Sequence, residues 1–489
     1  MGRHSKAVLN GAGIDRRDTG YYSTPAPVAQ FFRRKLLSLN PAPKLVFDPC
    51  AGRGELLAPF RDCGARLCGF DIMDLQPGGF FEFERCDFLL AALAALDKPP
   101  GANGLPDADI IVANPPYNCH EHDYLRAHKE RFALAFGRGA ALNLYSLFIH
   151  AIIRSAGPGC LIGLITFDSF LTARGHEELR RFIRRECRIH SLLLCPTDLF
   201  RDQGADVRTA ILVLQKGPQE AQRIEVAGRP ESTGHFERIL KAGAFRSCAP
   251  AEVFLSSPGD RGEFVVEVPQ AVRALFAMPR LGELFPCKTG ISTGNDRAHL
   301  SPAPGAGFTV PFYKNPGNRR FYTEPDAYLR DDYKTAEQNN KNFIIRNRPY
   351  IGRPGIACSS MGVAFGAAIL PEGSAFGVNA NLFPKEKDRW WLLAYLNSSL
   401  CNYLVRGVLL RSNMITAGYV ARIPVPEMTA AARRELEQTA REAYETGPGS
   451  AQALKFIERI DELAFDACAI PEPDRGGIRE FCANIVERT

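Results

Sequence analysis

Over the first half of the chain, short apolar runs alternate with amphipathic stretches. Lys44–Asp48, Arg66–Asp71, Ala108–Ala113, Cys160–Phe167, Ile189–Cys195 and Thr209–Leu214 each read as a strand. Between them, Leu142–Ser155 and Glu177–Cys187 carry apolar residues at helical spacing. This rhythm predicts an α/β fold with a parallel, doubly wound, Rossmann-like sheet over residues 21–220. It ends near residue 220, where Pro, Gly and isolated strand-like segments take over. A mixed α+β domain is expected over 226–426 and a helical segment over 427–489. Asp388–Leu404 reads as helical, and Glu427–Phe465 as two helices broken near Gly447-Pro448-Gly449. Residues 1–20, polar and rich in Gly and Arg, read as a flexible arm.

Composition narrows the class. The 489 residues suffice for two or three domains, and 45% hydrophobic with 23% charged residues is a globular balance. A net charge of +6 permits a polyanionic partner without requiring one. The 14 cysteines form no CxxC pair, which argues against a zinc site or a disulfide framework. They read as reduced thiols of a cytoplasmic protein. The N-terminal Met1-Gly2-Arg3-His4 is followed by no apolar signal core. Ala140–Ile153, the most apolar stretch, is too short to span a bilayer, so no membrane partner is expected.

Three motifs carry chemistry. In Asp48-Pro49-Cys50-Ala51-Gly52-Arg53-Gly54 an acid closes a strand and two glycines follow, where the backbone can approach a ligand at a sheet's carboxyl edge. The same pattern also serves plain tight turns. Asp71 closes the next strand, 23 residues beyond Asp48, a spacing suited to ribose hydroxyls or to a helix N-cap. Asp87-Phe88 offers a carboxylate and an aromatic face for an adenine ring, or an ordinary loop acid beside a core Phe. The decisive motif is Asn114-Pro115-Pro116-Tyr117 after a buried strand. An aromatic exocyclic amine is a poor nucleophile because its lone pair is delocalised into the ring. The Asn114 side-chain oxygen and the Pro115 carbonyl can accept its two N–H bonds and localise that pair. The prolines stiffen the backbone and remove competing donors, and Tyr117 can stack on the base.

With the glycine motif upstream, this tetrad resembles the gamma class of N6-adenine DNA methyltransferases, in which a methionine-end motif comes first; Tyr22-Ser23-Thr24-Pro25 is similar to it. The resemblance implies a class I methyltransferase fold with S-adenosylmethionine as cofactor and double-stranded DNA as substrate. It implies that Thr24 contacts the methionine carboxylate and that Asp48, Gly52 and Gly54 line the methionine. Asp71 would hold the ribose, Asp87 and Phe88 the cofactor's adenine, and Phe200 would be a second face for the target base. Phe167-Asp168-Ser169-Phe170 and Thr209–Lys216 fit the later motifs. Lys288–Asn295, Phe312–Lys314, Leu393–Ser398 and Arg422–Pro426 resemble target-recognition regions of single-chain methyltransferases in restriction and phage-exclusion systems, which often work with further subunits.

Lys341–Arg353 interleaves Lys341, Arg346, Arg348 and Arg353 with Phe and Tyr and has no acid, a pattern suited to phosphates and base edges or to a solvated loop. The tetrad by itself also suits a guanine amine in RNA or a glutamine amide in a protein. A bifunctional restriction enzyme subunit would need clustered carboxylates; Asp326, Glu337 and Lys341 come nearest, at poor spacing. Cys119, His120 and His122 follow the tetrad and read as a substrate-gating loop, with no metal expected.

Overall fold

The computed structural model describes residues 21–75, 79–96, 98, 104–117, 122–205, 207–218, 223–317, 319–362, 364–410, 414–447 and 451–485. The expected arm, Cys119 and His120 lie outside these residues, as does the side chain of His122. The chain divides into two compact units, the first ending at Glu267 and the second beginning at Val268.

The first unit runs α1 (Ala26–Leu39), β1 (Leu45–Asp48), β2 (Arg66–Asp71), β3 (Glu82–Arg85), α2 (Phe88–Ala95), β4 (Ile110–Ala113), α3 (His122–Phe136), α4 (Leu144–Ser155), β5 (Leu161–Phe167), α5 (Glu177–Glu186), β6 (Cys187–Leu194), β7 (Thr209–Lys216), β8 (Ile224–Ala227), α6 (Thr233–Ala242) and β9 (Arg246–Cys248). The six strands read from sequence are present within a few residues of their expected bounds. Their nine-stranded sheet has the order β3-β2-β1-β4-β5-β7-β6-β8-β9. The expectation of a parallel sheet needs correction. β7 pairs antiparallel with both β5 and β6, and β9 antiparallel with β8. The 14 residues between β6 and β7 carry, among those described, one short 3₁₀ turn at Arg201–Gln203 and no α-helix to carry the chain back across the sheet. The boundary expected near residue 220 also moves, because β8 and β9 extend this sheet and carry the unit to Glu267.

β1, β4 and β5 are almost wholly buried, and apolar side chains cover both sheet faces. β3 was not legible: its Glu-Phe-Glu-Arg sequence is largely exposed at the sheet edge.

The second unit contains two four-stranded sheets. One joins Cys287–Lys288, Asn381–Leu382, Gly355–Cys358 and Ala367–Leu370. The other joins Leu300–Ser301, Ala327–Leu329, Val310–Tyr313 and Ala375–Phe376. Helices follow at Glu386–Leu396, Ser399–Tyr403, Ala430–Thr446, Ala451–Ala467 and Glu472–Ala483. Asn397 bonds both backbone groups of Ala367, accepting from its N–H at 3.0 Å and donating to its carbonyl at 2.9 Å. Tyr395 donates to the Pro424 carbonyl at 2.7 Å. Two of the later motif segments therefore hold this unit together.

The turn after β1 explains the glycine motif. Gly52 and Gly54 have φ of +55° and +87°. A Cβ on Gly54 would lie 2.5 Å from the Phe81 ring and 2.7 Å from the Phe80 ring. Gly54→Ala combines that overlap with a left-handed backbone, which costs about 1–3 kcal/mol. Its thermal or urea midpoint is expected to fall; an unchanged midpoint would mean that the turn relaxes freely.

Candidate active site

Four neighbouring strands deliver polar side chains to one edge of the sheet. β1 and β2 end in Asp48 and Asp71, and Asn114 and Asp87 stand just beyond β4 and β3. This is the carboxyl edge of a parallel run, at the point where the strand order reverses between β1 and β4, the customary ligand position in such sheets. A cleft of about 880 Å³, partly open to solvent, runs along it. Thr24, Gly52, Asp71, Asp87, Phe88 and Asn114 are among its lining residues, and so is Asp48.

Asp71 is held by backbone amides: Gly52 N–H donates to one carboxylate oxygen at 2.9 Å and Met73 N–H to the other at 3.0 Å. A carboxylate offers about four acceptor sites, so these amides leave room for a hydroxyl donor. Burial raises the Asp71 pKa above the ordinary value. Asp48 is 2% exposed and accepts from Cys50 N–H at 3.0 Å. Burial lifts its pKa to about 8, with Asp71 and Glu55 adding repulsion against the backbone bond from Cys50. Asp87 caps α2 through Leu90 N–H at 3.1 Å and accepts from the Tyr124 hydroxyl at 2.9 Å. Phe88 lines the cleft but is 1% exposed, packed between Phe47 and Phe148, so its ring belongs chiefly to the core.

Asn114 has the most telling environment. Its Nδ2 donates to the Tyr22 carbonyl at 2.9 Å and to Thr24 Oγ1 at 3.0 Å. A carbonyl oxygen can only accept, so the amide cannot turn over. Its Oδ1 is consequently fixed on the other side, buried and without a hydrogen-bond partner among the described residues. A buried unpaired acceptor carries a penalty of about 1–3 kcal/mol, which a ligand N–H would relieve. Pro116 also lines the cleft; Pro115 stands between it and Asn114.

Tyr117 lies deeper, 5% exposed, its hydroxyl 3.3 Å from the Ile165 carbonyl. Its ring centroid is 4.7 Å from that of Phe167, 5.6 Å from Tyr22 and 6.1 Å from Phe200. Phe200 is completely buried and stands edge-on to Tyr117 at 79°. A buried ion pair, Arg229 to Asp168, with Arg229 also donating to the Cys195 carbonyl, braces the segments after β5 and β6.

Sequence reasoning gave no role to Glu55, Gln203 or Tyr124. Glu55 takes hydrogen bonds from Tyr21 and Ser23, and the Gln203 amide pairs with both backbone groups of Ser23. A carboxylate beside a glycine turn was the only available signal, and it does not reveal its partner. Among the described residues no group of three or more His, Cys, Asp or Glu could hold a metal ion, and no helix is long and apolar enough to cross a membrane.

In the second unit Lys341, Arg346 and Arg353 are exposed, on a segment anchored by buried Phe343 and Ile345. Arg348 pairs with Glu337, which also accepts from Ile345 N–H. The guanidinium of Arg353 and the ammonium of Lys288 stand 5.5 and 5.6 Å from the Tyr350 ring centroid. The carboxylate of Asp326 accepts backbone N–H bonds from Lys314 and Asn315, a turn-forming role.

The sheet order, with its one reversed strand beside β5, and the acid-lined edge define a methyltransferase-like α/β fold, and residues 92–241 match the N-6 DNA Methylase family. The methylase subunit of the type I restriction enzyme StySPI from Salmonella potsdam is 29% identical over 131 residues, 24% of this chain and 21% of that protein. The EcoKI methylase subunit of Escherichia coli K12 is 25% identical over 234 residues, 42% of each. The chain thus spans less than half the length of the curated relatives it matches. Its fold is similar to that of the type IIL restriction–modification enzyme MmeI, solved in complex with DNA (TM-score 0.59, 12% identity, 98% of this chain and 80% of that one). It is also similar to a nuclease-deletion mutant of the type ISP enzyme LlaGI (TM-score 0.56, 13% identity, 86% and 54%). S-adenosylmethionine is the cofactor of such methylases, and the cleft suits it: two acids at adjacent strand ends and an unsatisfied acceptor at the third.

The raised Asp48 pKa has a stability consequence. Between the ordinary value of 3.8 and about 8 the folded state binds the extra proton, so stability falls as pH rises through that window. Asp48→Asn keeps the acceptor for Cys50 and cannot ionise. Its thermal midpoint should gain on wild type as pH approaches 8; parallel pH profiles would refute the buried neutral acid.

Proposed function

We propose that this protein is an S-adenosylmethionine-dependent DNA methyltransferase of restriction–modification type that methylates N6 of adenine in a base flipped out of the duplex. The observation that carries the reading is the fixed, buried, unpaired Oδ1 of Asn114. An amine N–H meeting that oxygen gains a hydrogen bond that none of the described residues supplies. The Pro115 carbonyl is the second acceptor, and Tyr117, with Phe200, supplies the aromatic wall.

When bound, S-adenosylmethionine supplies a methyl group on a positively charged sulfur. Asp71 would hold the ribose hydroxyls and Asp87 the adenine, with the core ring of Phe88 forming the floor beneath it. Thr24, Asp48, Gly52 and Gly54 would surround the methionine; a cation there favours the charged form of Asp48. In the amine, bonds to Asn114 and Pro115 localise the lone pair toward the methyl. The attacking nitrogen then becomes acidic, so no strong base is required.

The second unit, residues 268–426 above all, is the proposed DNA-reading part. Exposed Lys341, Arg346 and Arg353 would face double-stranded DNA, whereas Arg348 is engaged with Glu337. Similarity to type I methylase subunits supports a cytoplasmic role in restriction–modification or phage defence, alone or with further subunits.

Asn114→Ala should lower single-turnover transfer of labelled methyl to plasmid DNA by about 10²–10³, with little change in cofactor affinity, because the lost bond strengthens in the transition state. Transfer at the wild-type rate would refute the mechanism, and label confined to RNA or protein would refute the substrate. Replacing Arg346 and Arg353 with Ala should flatten the log–log salt dependence of DNA binding by about 0.9 per lost phosphate contact. An unchanged slope would remove these arginines from the phosphate interface.

A further inference from the structure

A third protein ring already stands against the two assigned to the target base. Tyr22, Tyr117 and Phe200 form a triangle of centroids with sides of 5.6, 6.1 and 6.1 Å. Tyr22 lies near-parallel to Tyr117, at 32°, and edge-on to Phe200, at 70°. A base stacked on Tyr117 within reach of Phe200 needs its own centroid about 4.5–7 Å from both rings. Tyr22 meets that geometry on both counts. Of the three rings, Phe200 is completely buried and Tyr117 nearly so, whereas Tyr22 is half-buried and lines the open cleft.

The backbone beneath Tyr22 is pinned independently of its ring. Ser23 N–H donates to Gln203 Oε1 at 2.9 Å, and Gln203 Nε2 donates to the Ser23 carbonyl at 2.6 Å. Ser23 Oγ donates to Glu55 at 3.0 Å, and Asn114 donates to the Tyr22 carbonyl. A change in the Tyr22 side-chain torsions would therefore leave these bonds of the strap that aims Asn114 in place.

Resting on the adenine-methyltransferase reading, we infer that Tyr22 is a gating residue whose ring occupies the target-base slot of the DNA-free protein and is exchanged for the flipped base. Base capture then includes the loss of the Tyr22 contacts with the Tyr117 and Phe200 rings. That loss favours bases whose stacking replaces them and disfavours idle occupation of the slot.

The test separates base entry from the rest of DNA binding. Sequencing plasmid DNA methylated by the wild-type protein maps the site, and two duplexes are built on it, one with adenine at the target and one abasic there. Affinities are measured by fluorescence anisotropy with S-adenosylhomocysteine present. Tyr22→Ala should tighten binding of the adenine duplex by about tenfold, from two ring contacts, and leave the abasic duplex unchanged, since nothing enters the slot. Tyr22→Phe, which keeps the ring, should preserve the wild-type ratio. Equal effects of Tyr22→Ala on both duplexes, or weaker binding of the adenine duplex alone, would overturn the gate while methylation by the wild type upholds the function. Absence of any methyl transfer to DNA by the wild type would overturn both.

Discussion

The site depends on the orientation of one amide. Asn114 has two donors and one acceptor group, and the Tyr22 carbonyl and Thr24 hydroxyl take the donors. The acceptor is thereby fixed and buried, with no partner among the described residues, on a residue that lines the cleft. The rest of the first unit serves this arrangement. The buried strand β4 ends at Ala113 and sets Asn114 at the sheet edge, Gln203 and Glu55 hold the strap carrying Tyr22 and Thr24, and the glycine turn brings Asp71 onto the backbone of Gly52. Leaving an acceptor unsatisfied is unfavourable in the free protein, and the deficit is available to a ligand that can donate there.

Much of this was legible in the sequence. Apolar runs such as Cys160–Phe167 announced strands because the sheet buries them on both faces, and Asp48, Asp71 and Asn114 announced the cleft because each closes such a run. Strand direction was not legible. Thr209–Lys216 is as apolar as β5 and β6, and nothing in that pattern distinguishes a strand that runs antiparallel to both. Nor was the extent of the first unit, since β8 and β9 are four and three residues long. Charge alone marked Arg348 as a DNA contact, but the partner Glu337 lies 11 residues earlier and was read as a poor nuclease carboxylate.

Two roles of the tetrad separate in space. Asn114 faces the cleft, while Tyr117 stands among protein rings on the far side of Tyr22. Tyr21, Tyr22 and Thr24 line the cleft, and Tyr22 also meets the rings of Tyr117 and Phe200. In the second unit the quoted motifs divide similarly: Asn397 and Tyr395 hold the fold, whereas the basic side chains around Tyr350 are exposed.

The central claim is that the Asn114 oxygen receives the exocyclic amine of adenine in DNA. Its most direct measurement is mass spectrometry of nucleosides from unmethylated plasmid DNA incubated with the protein and deuterated S-adenosylmethionine. The account predicts the heavy methyl in N6-methyldeoxyadenosine, with none in deoxycytidine. A heavy methyl in deoxycytidine, or none in any deoxynucleoside, would contradict it.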